Sequence, residues 1–101
     1  MTHPIIETVS FKLAVGITET AFRAEIPAST AFIKARPGFR ARRLSCGEDG
    51  RWLDHIEWDS MEAAQSASEA FMQEPSLMGF AQCIDMESTE MHHQTLELSE
   101  G

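Results

Sequence analysis

Gly47-Glu48-Asp49-Gly50 lies near the middle of the chain, between two runs that read as strands, 39–46 and 51–58. Asp-Gly between such runs is a strong hairpin signal, because both residues tolerate the left-handed backbone of a tight turn. A central antiparallel hairpin constrains both flanks. Each flank holds one helical stretch and one extended stretch, and all four must pack on the sheet that the hairpin starts.

In the first flank, Val9, Phe11 and Leu13 alternate with Thr8, Ser10 and Lys12, the pattern of a half-buried strand over 5–13. Thr18 suits a helix N-cap and Glu19 its first turn. Phe22, Ile26, Ser29 and Ile33 then share one helical stripe. Pro27 lacks a backbone donor and crowds the preceding turn, so a kink or restart is expected there. Pro37-Gly38 stops the helix. In the second flank Asp59 or Ser60 caps a helix striped by Ala64, Ala67 and Phe71, and Asp59 with Glu62 resembles a capping box. Glu74-Pro75 breaks it. A short helical piece with Leu77, Phe80, Ala81 and Ile84 follows, then an extended end over 86–98.

The order β-α-β-β-α-β has one stable layered solution: an antiparallel sheet with both helices on one face, the ferredoxin-like α+β arrangement. At 101 residues the chain is the size of one such domain, expected over 1–101. The other sheet face would be bare in a monomer, which points to a partner.

The charge is divided. All eight Lys and Arg lie in 1–51, with five acids, for a net +3; residues 52–101 hold eleven acids and no Lys or Arg, for a net −11. Opposite halves of one domain are suited to meet, within a chain or between chains. The total of −8 argues against nucleic acid and anionic membranes as partners. No stretch approaches the roughly 18 apolar residues of a membrane span. The N-terminus lacks a signal-peptide pattern, and Cys46 and Cys83 form no CxxC pair. The expectation is a cytoplasmic protein with reduced thiols.

Arg36-Pro37-Gly38-Phe39, the strand ending Ile56-Glu57-Trp58, the Ala-rich helix and the late Met91-His92-His93 together resemble the dimeric α+β barrel superfamily, in its antibiotic-biosynthesis monooxygenase-like branch. The resemblance spans nearly the whole chain. It implies a homodimer whose sheets form a barrel, with a cavity between sheet and helices in each protomer. Relatives include cofactor-independent quinol oxygenases, heme-degrading monooxygenases and small-molecule isomerases. The chain departs from the quinol-oxygenase and heme-degrading types, because it contains no Asn, and from the former also in having no Tyr.

An even-length hairpin loop puts Phe39, Ala41, Arg43 and Ser45 on one face with Trp52, Asp54, Ile56 and Trp58; a three-residue loop with a bulge would flip one strand. In the even register Arg43 meets Asp54 between two Trp positions. This is a candidate anchoring or acid/base pair in an aromatic pocket, or else an ion pair that fixes the hairpin. His92 and His93 are adjacent on a strand and point to opposite faces. His93 matches the family's Met-x-His and suits a general base, with a structural His as the plainer alternative. His55 and Glu57 are half of a conceivable metal site that nothing completes, so no metal is expected. Met61, Phe71, Met72, Met78, Phe80 and Met86 fit ordinary core or a flexible pocket.

The leading expectation is a cofactor-independent, monooxygenase-like enzyme acting on a small aromatic or quinone-type molecule. His93 and Asp54 are its catalytic candidates; Trp52, Trp58 and Arg43 are its substrate-binding candidates. The alternatives are a non-catalytic dimeric small-ligand-binding or stress-response protein and a muconolactone-type isomerase.

Overall fold

The hairpin forms, but its loop is odd in length. The computed structural model describes residues 3–101. Met1 and Thr2, which fall within the expected 1–101 domain, lie outside the described residues. The elements are β1 (Ile5–Leu13), α1 (Glu19–Lys34), β2 (Phe39–Cys46), β3 (Trp52–Trp58), α2 (Met61–Met72), a 3-10 turn (Pro75–Leu77), α3 (Met78–Gln82) and β4 (Ile84–Thr95). The strands make one antiparallel sheet in the order β2-β3-β1-β4, giving the ferredoxin-like α+β fold.

Cys46 pairs with Trp52, so the five residues 47–51 form the loop. An odd loop reverses the facing expected for β2. Arg42 and Leu44, not Arg43 and Ser45, now share a face with Ile56 and Asp54. A register shift between Phe39 and Ala41 then returns Phe39 to the inner face opposite Trp58, their rings 6.0 Å apart and nearly perpendicular. The loop is held by Gly50 N–H to Gly47 O (3.0 Å) and by Arg51 N–H to Asp49 Oδ1 (3.0 Å).

Helix α1 runs unbroken through Pro27, against the expected kink. Pro27 is exposed, while Phe22, Ser29 and Ile33 are buried on either side of it. Packing across the proline holds both turns on the sheet, and the carbonyl that Pro27 leaves free belongs to exposed Arg23. Thr18 caps α1 as expected. Ser60, rather than Asp59, caps α2 by accepting from Ala63 N–H.

The core has two lobes on the helix side of the sheet. One gathers Phe11, Phe22, Trp52, Phe80 and Cys83; the other gathers Ile33, Ile56, Trp58, Ala64 and Ala67. Both cysteines are free. Burial raises the pKa of the Cys83 thiol, with Glu25 adding to the effect, so that thiol stays protonated at neutral pH. Among the described residues no helix is long and apolar enough to cross a membrane.

Gly38 turns the chain from α1 into β2 at a positive φ of 86°, and a Cβ there would lie 2.5 Å from the Ala63 side chain. Its carbonyl accepts from Asp59 N–H at 2.8 Å, tying the start of β2 to the approach to α2. Gly38→Ala is therefore expected to destabilise the fold by about 2–4 kcal/mol in urea titrations, combining backbone strain with a clash.

Candidate functional site

The inner sheet face and the helices do not close on each other. A cavity of about 490 Å³ lies between them, within the usual range of roughly 300–1,000 Å³ for small-molecule sites. Its walls are mostly apolar and aromatic, with Trp58, Ile56, Phe71 and Phe80 among them. Two buried carboxylates, Glu7 and Asp54, interrupt that surface.

Asp54 is clamped by Arg42. The guanidinium donates from Nε to Oδ1 (2.9 Å) and from Nη2 to Oδ2 (2.8 Å). Both side chains are more than nine-tenths buried. Arg42 Nη1 reaches on to Ser29 Oγ (3.0 Å) and Thr30 Oγ1 (3.3 Å) on α1, and Ser29 in turn donates to Ile26 O (2.7 Å). A planar fork meeting a carboxylate edge-on is the strong form of this contact. The expected Arg43–Asp54 pair is thus replaced by Arg42–Asp54. Arg43 is exposed on the outer face, opposite His55 in the ladder, and does not line the cavity.

Glu7 is 6% exposed, and each of its oxygens has a donor. Trp58 Nε1–H donates to Oε1 at 3.3 Å, and His93 Nε2 lies 2.8 Å from Oε2. Opposite an ionised carboxylate, which only accepts, the imidazole presents N–H at Nε2. Cross-strand pairing explains the meeting: Glu7 faces Ile56 on one side and His93 on the other, two residues from the Ile5–Trp58 pair. His93 stands behind Glu7 and is not itself part of the cavity wall. The group that touches the cavity is Glu7. Its signal was its parity with Val9 and Phe11, which places an acid on the apolar face of a strand, where it needs partners.

The remaining candidates separate. Trp58 lines the cavity, but Trp52 does not. Trp52 packs edge-on against Phe22, their centroids 4.8 Å apart, with the Arg23 guanidinium 5.4 Å from its ring, and so acts as core rather than as a ligand-stacking face. His92 pairs across from Thr8 and faces outward, opposite to His93. Met72, Met78, Met86 and Met91 are exposed and line the cavity, while Met61 does not line it. They form a pliable apolar mouth rather than ordinary core. Among the described residues no group of three or more His, Cys, Asp or Glu side chains converges as metal ligands.

No protein-family model and no curated protein matches the sequence. Solved structures do match. A cofactor-independent oxygenase from Streptomyces nogalater, SnoaB, superposes with a TM-score of 0.75 at 14% identity, over 97% of each chain. The fold is shared. A candidate antibiotic biosynthesis monooxygenase from Bordetella bronchiseptica gives a TM-score of 0.77 at 19% identity, over 96% of this chain and all of that one. A dimeric ferredoxin-like protein of unknown function from Thermobifida fusca gives 0.74 at 11% identity, over 95% and 93%. The structural neighbours are thus antibiotic-biosynthesis-monooxygenase-like proteins of ferredoxin fold, matched over nearly the whole chain.

The two adjacent arginines separate cleanly in a stability test. Arg42→Ala leaves Asp54 buried without its partner and is expected to cost roughly 3–5 kcal/mol. Arg43→Ala, on the exposed face, should stay within about 0.5 kcal/mol. Chemical denaturation of both variants measures the difference, and equal losses would contradict the register described here.

Proposed function

We propose that the cavity binds a small aromatic molecule and supports its oxygenation without a cofactor. The observation that carries this reading is the open, aromatic-walled cavity with the buried Glu7 on its wall, fixed by Trp58 and His93. The likeness of the whole fold to a cofactor-independent oxygenase supports it.

In this reading the substrate ring lies against Trp58 and its hydroxyl donates to Glu7. His93 holds the Glu7 carboxylate in place and sets its charge balance. Asp54, with both oxygens bonded to Arg42, shapes the cavity surface and moves no proton. Hydrogen bonding of the hydroxyl to a carboxylate makes the ring electron-rich, and molecular oxygen is the oxidant. A ring CH₂ becomes C=O: one oxygen atom enters the substrate, and the other leaves as water with the two hydrogens. Water exclusion by the apolar walls favours this outcome over stray side reactions.

Oxygen uptake with a panel of hydroquinones and anthrones tests the reading. Wild-type protein should consume oxygen, and Glu7→Gln should lower kcat by about 100-fold or more. His93→Ala should lower it too, since the side chain that fixes Glu7 Oε2 is removed. Substrate turnover with no oxygen consumed would support isomerisation instead. Binding without turnover would support a ligand-binding protein.

We also propose a homodimer, built by stacking the outer sheet faces. The free edges of the sheet differ in charge: β2 carries Arg40 and Arg43 outward, and β4 carries Asp85, Glu87 and Glu90. A two-fold axis along the strands sets each β2 against the partner's β4. Glu90 already pairs with Arg51 in its own chain (2.9 Å), and Arg40 with Glu57 (3.0 Å). Arg43 and Glu87 have no ion pair among the described residues and are the pair free to cross. Such pairs add little energy, about 0–1 kcal/mol each, but they set register. In low-salt sedimentation the Glu87→Lys, Glu90→Lys double variant should dissociate more readily than wild type, and an unchanged dimer would remove the edge contact.

A further inference from the structure

The cavity wall is one-sided in charge. Glu7, Asp54 and Glu74 line it, and among the described residues no Lys, Arg or His does. We infer that the site selects an aromatic molecule without an acid group, carrying a hydroxyl or ammonium donor at the end that meets Glu7. This rests on the reading of the cavity as the ligand site, and it goes beyond that reading by fixing the charge of what enters.

The basic side chains of β2 and β4 nearest the two inner acids are engaged or turned away. Arg42 spends two nitrogens on Asp54 and the third on Ser29 and Thr30, so it has little left to offer a ligand. His93 stands behind Glu7 and directs Nε2 at it. Arg43 is on the far face of the sheet. A carboxylate or phosphate in the cavity would lose its water, find no cationic partner and face acids across an apolar space. An unpaired buried charge of that kind is strongly disfavoured.

Glu7, by contrast, has unused capacity. A carboxylate offers about four acceptor positions, and Glu7 accepts one bond at each oxygen, from Trp58 and from His93. The spare positions suit an incoming O–H or N–H. The overall charge of −8 favours cationic over anionic ligands at encounter as well. Trp58 and Phe80 present ring faces or edges to the same space, which suits a flat apolar body and tolerates a cation.

Three naphthalenes of one shape test the inference by titration calorimetry at pH 7: 2-naphthol, 2-naphthylmethylamine as its ammonium, and 2-naphthoate. The naphthol and the amine should bind at least about tenfold more tightly than naphthoate. Met91→Arg places a cation on the half-exposed mouth without disturbing the core, and it should raise naphthoate affinity while weakening the amine. Glu7→Gln should narrow the gap between naphthol and naphthoate. Naphthoate binding wild type as tightly as the naphthol overturns the inference. Binding of none of the three overturns both this inference and the cavity as ligand site. The expected selectivity in a protein that consumes no oxygen overturns the oxygenase reading alone.

Discussion

A carboxylate held against an apolar cavity must be hydrogen-bonded, and the rest of this structure is arranged around meeting that need at Asp54. The Arg42 fork joins β2 to β3 and then reaches α1 through Ser29 and Thr30. Three elements are tied at one point beneath the cavity. The contact is weak evidence for net stability, because desolvating two charges costs much of what their attraction returns. Its effect is on specificity. Slipping β2 by one residue would bring Arg43 inward in place of Arg42 but also exchange Leu44 for Ser45 on the inner face, so the carboxylate needs an arginine and the apolar pattern around it selects which one.

Glu7 does the same for the other half of the sheet. Its two partners, Trp58 on β3 and His93 on β4, flank it across the central strand β1. Each buried acid therefore ties neighbouring strands together, and each also supplies a polar point on the cavity surface. The two points differ in freedom. Both accept one bond at each oxygen, but Asp54 meets a guanidinium in one bidentate contact, whereas Glu7 is held by an indole N–H and an imidazole from opposite sides. The charge of Asp54 is matched by an always-charged guanidinium, and Glu7 has no such partner, so a ligand's donor is better received at Glu7.

How much of this was legible in the sequence depends on what each feature requires. Element order and the sheet face of Trp58 followed from periodicity, a property of single segments. The partner of Asp54 did not, because it depends on loop parity: Gly47-Glu48-Asp49-Gly50 looks like a two- or four-residue connection, but Arg51 joins the loop and reverses β2. The turn closes on an odd count: Gly47 N–H donates to Arg51 O (2.8 Å), Gly50 sits at a positive φ of 81° between them, and the Arg51 side chain reaches Ser10 Oγ (2.6 Å), Ser88 O (2.6 Å) and Glu90, partners distant in the chain. Pro27 misled for a similar reason, since a local helix-breaking tendency was outweighed by burial of Phe22 and Ile33 on either side. Glu7 was legible in principle: an acid in phase with Val9 and Phe11 has to be accounted for. The methionines were not, because composition cannot separate a filled core from the mouth of a cavity.

The division of charge along the chain acquires a physical meaning at this point. Acids are placed on both sides of the sheet, but the cations are almost all directed outward or spent on a buried partner. Arg42 is the exception that enters the interior, and it is fully used there. An enzyme that held an anionic substrate would need one more buried cation with a free donor, and β2, which carries three of the eight bases, would be the natural source. The odd hairpin loop turns Arg43 outward and Arg42 inward, and the register shift between Phe39 and Ala41 takes Arg40 out of that alternation to meet Glu57 on the outer face. The parity of the turn thus decides which arginine enters, and the one that enters, Arg42, is within reach of both Asp54 and α1, so its donors are taken up there and not offered to the cavity.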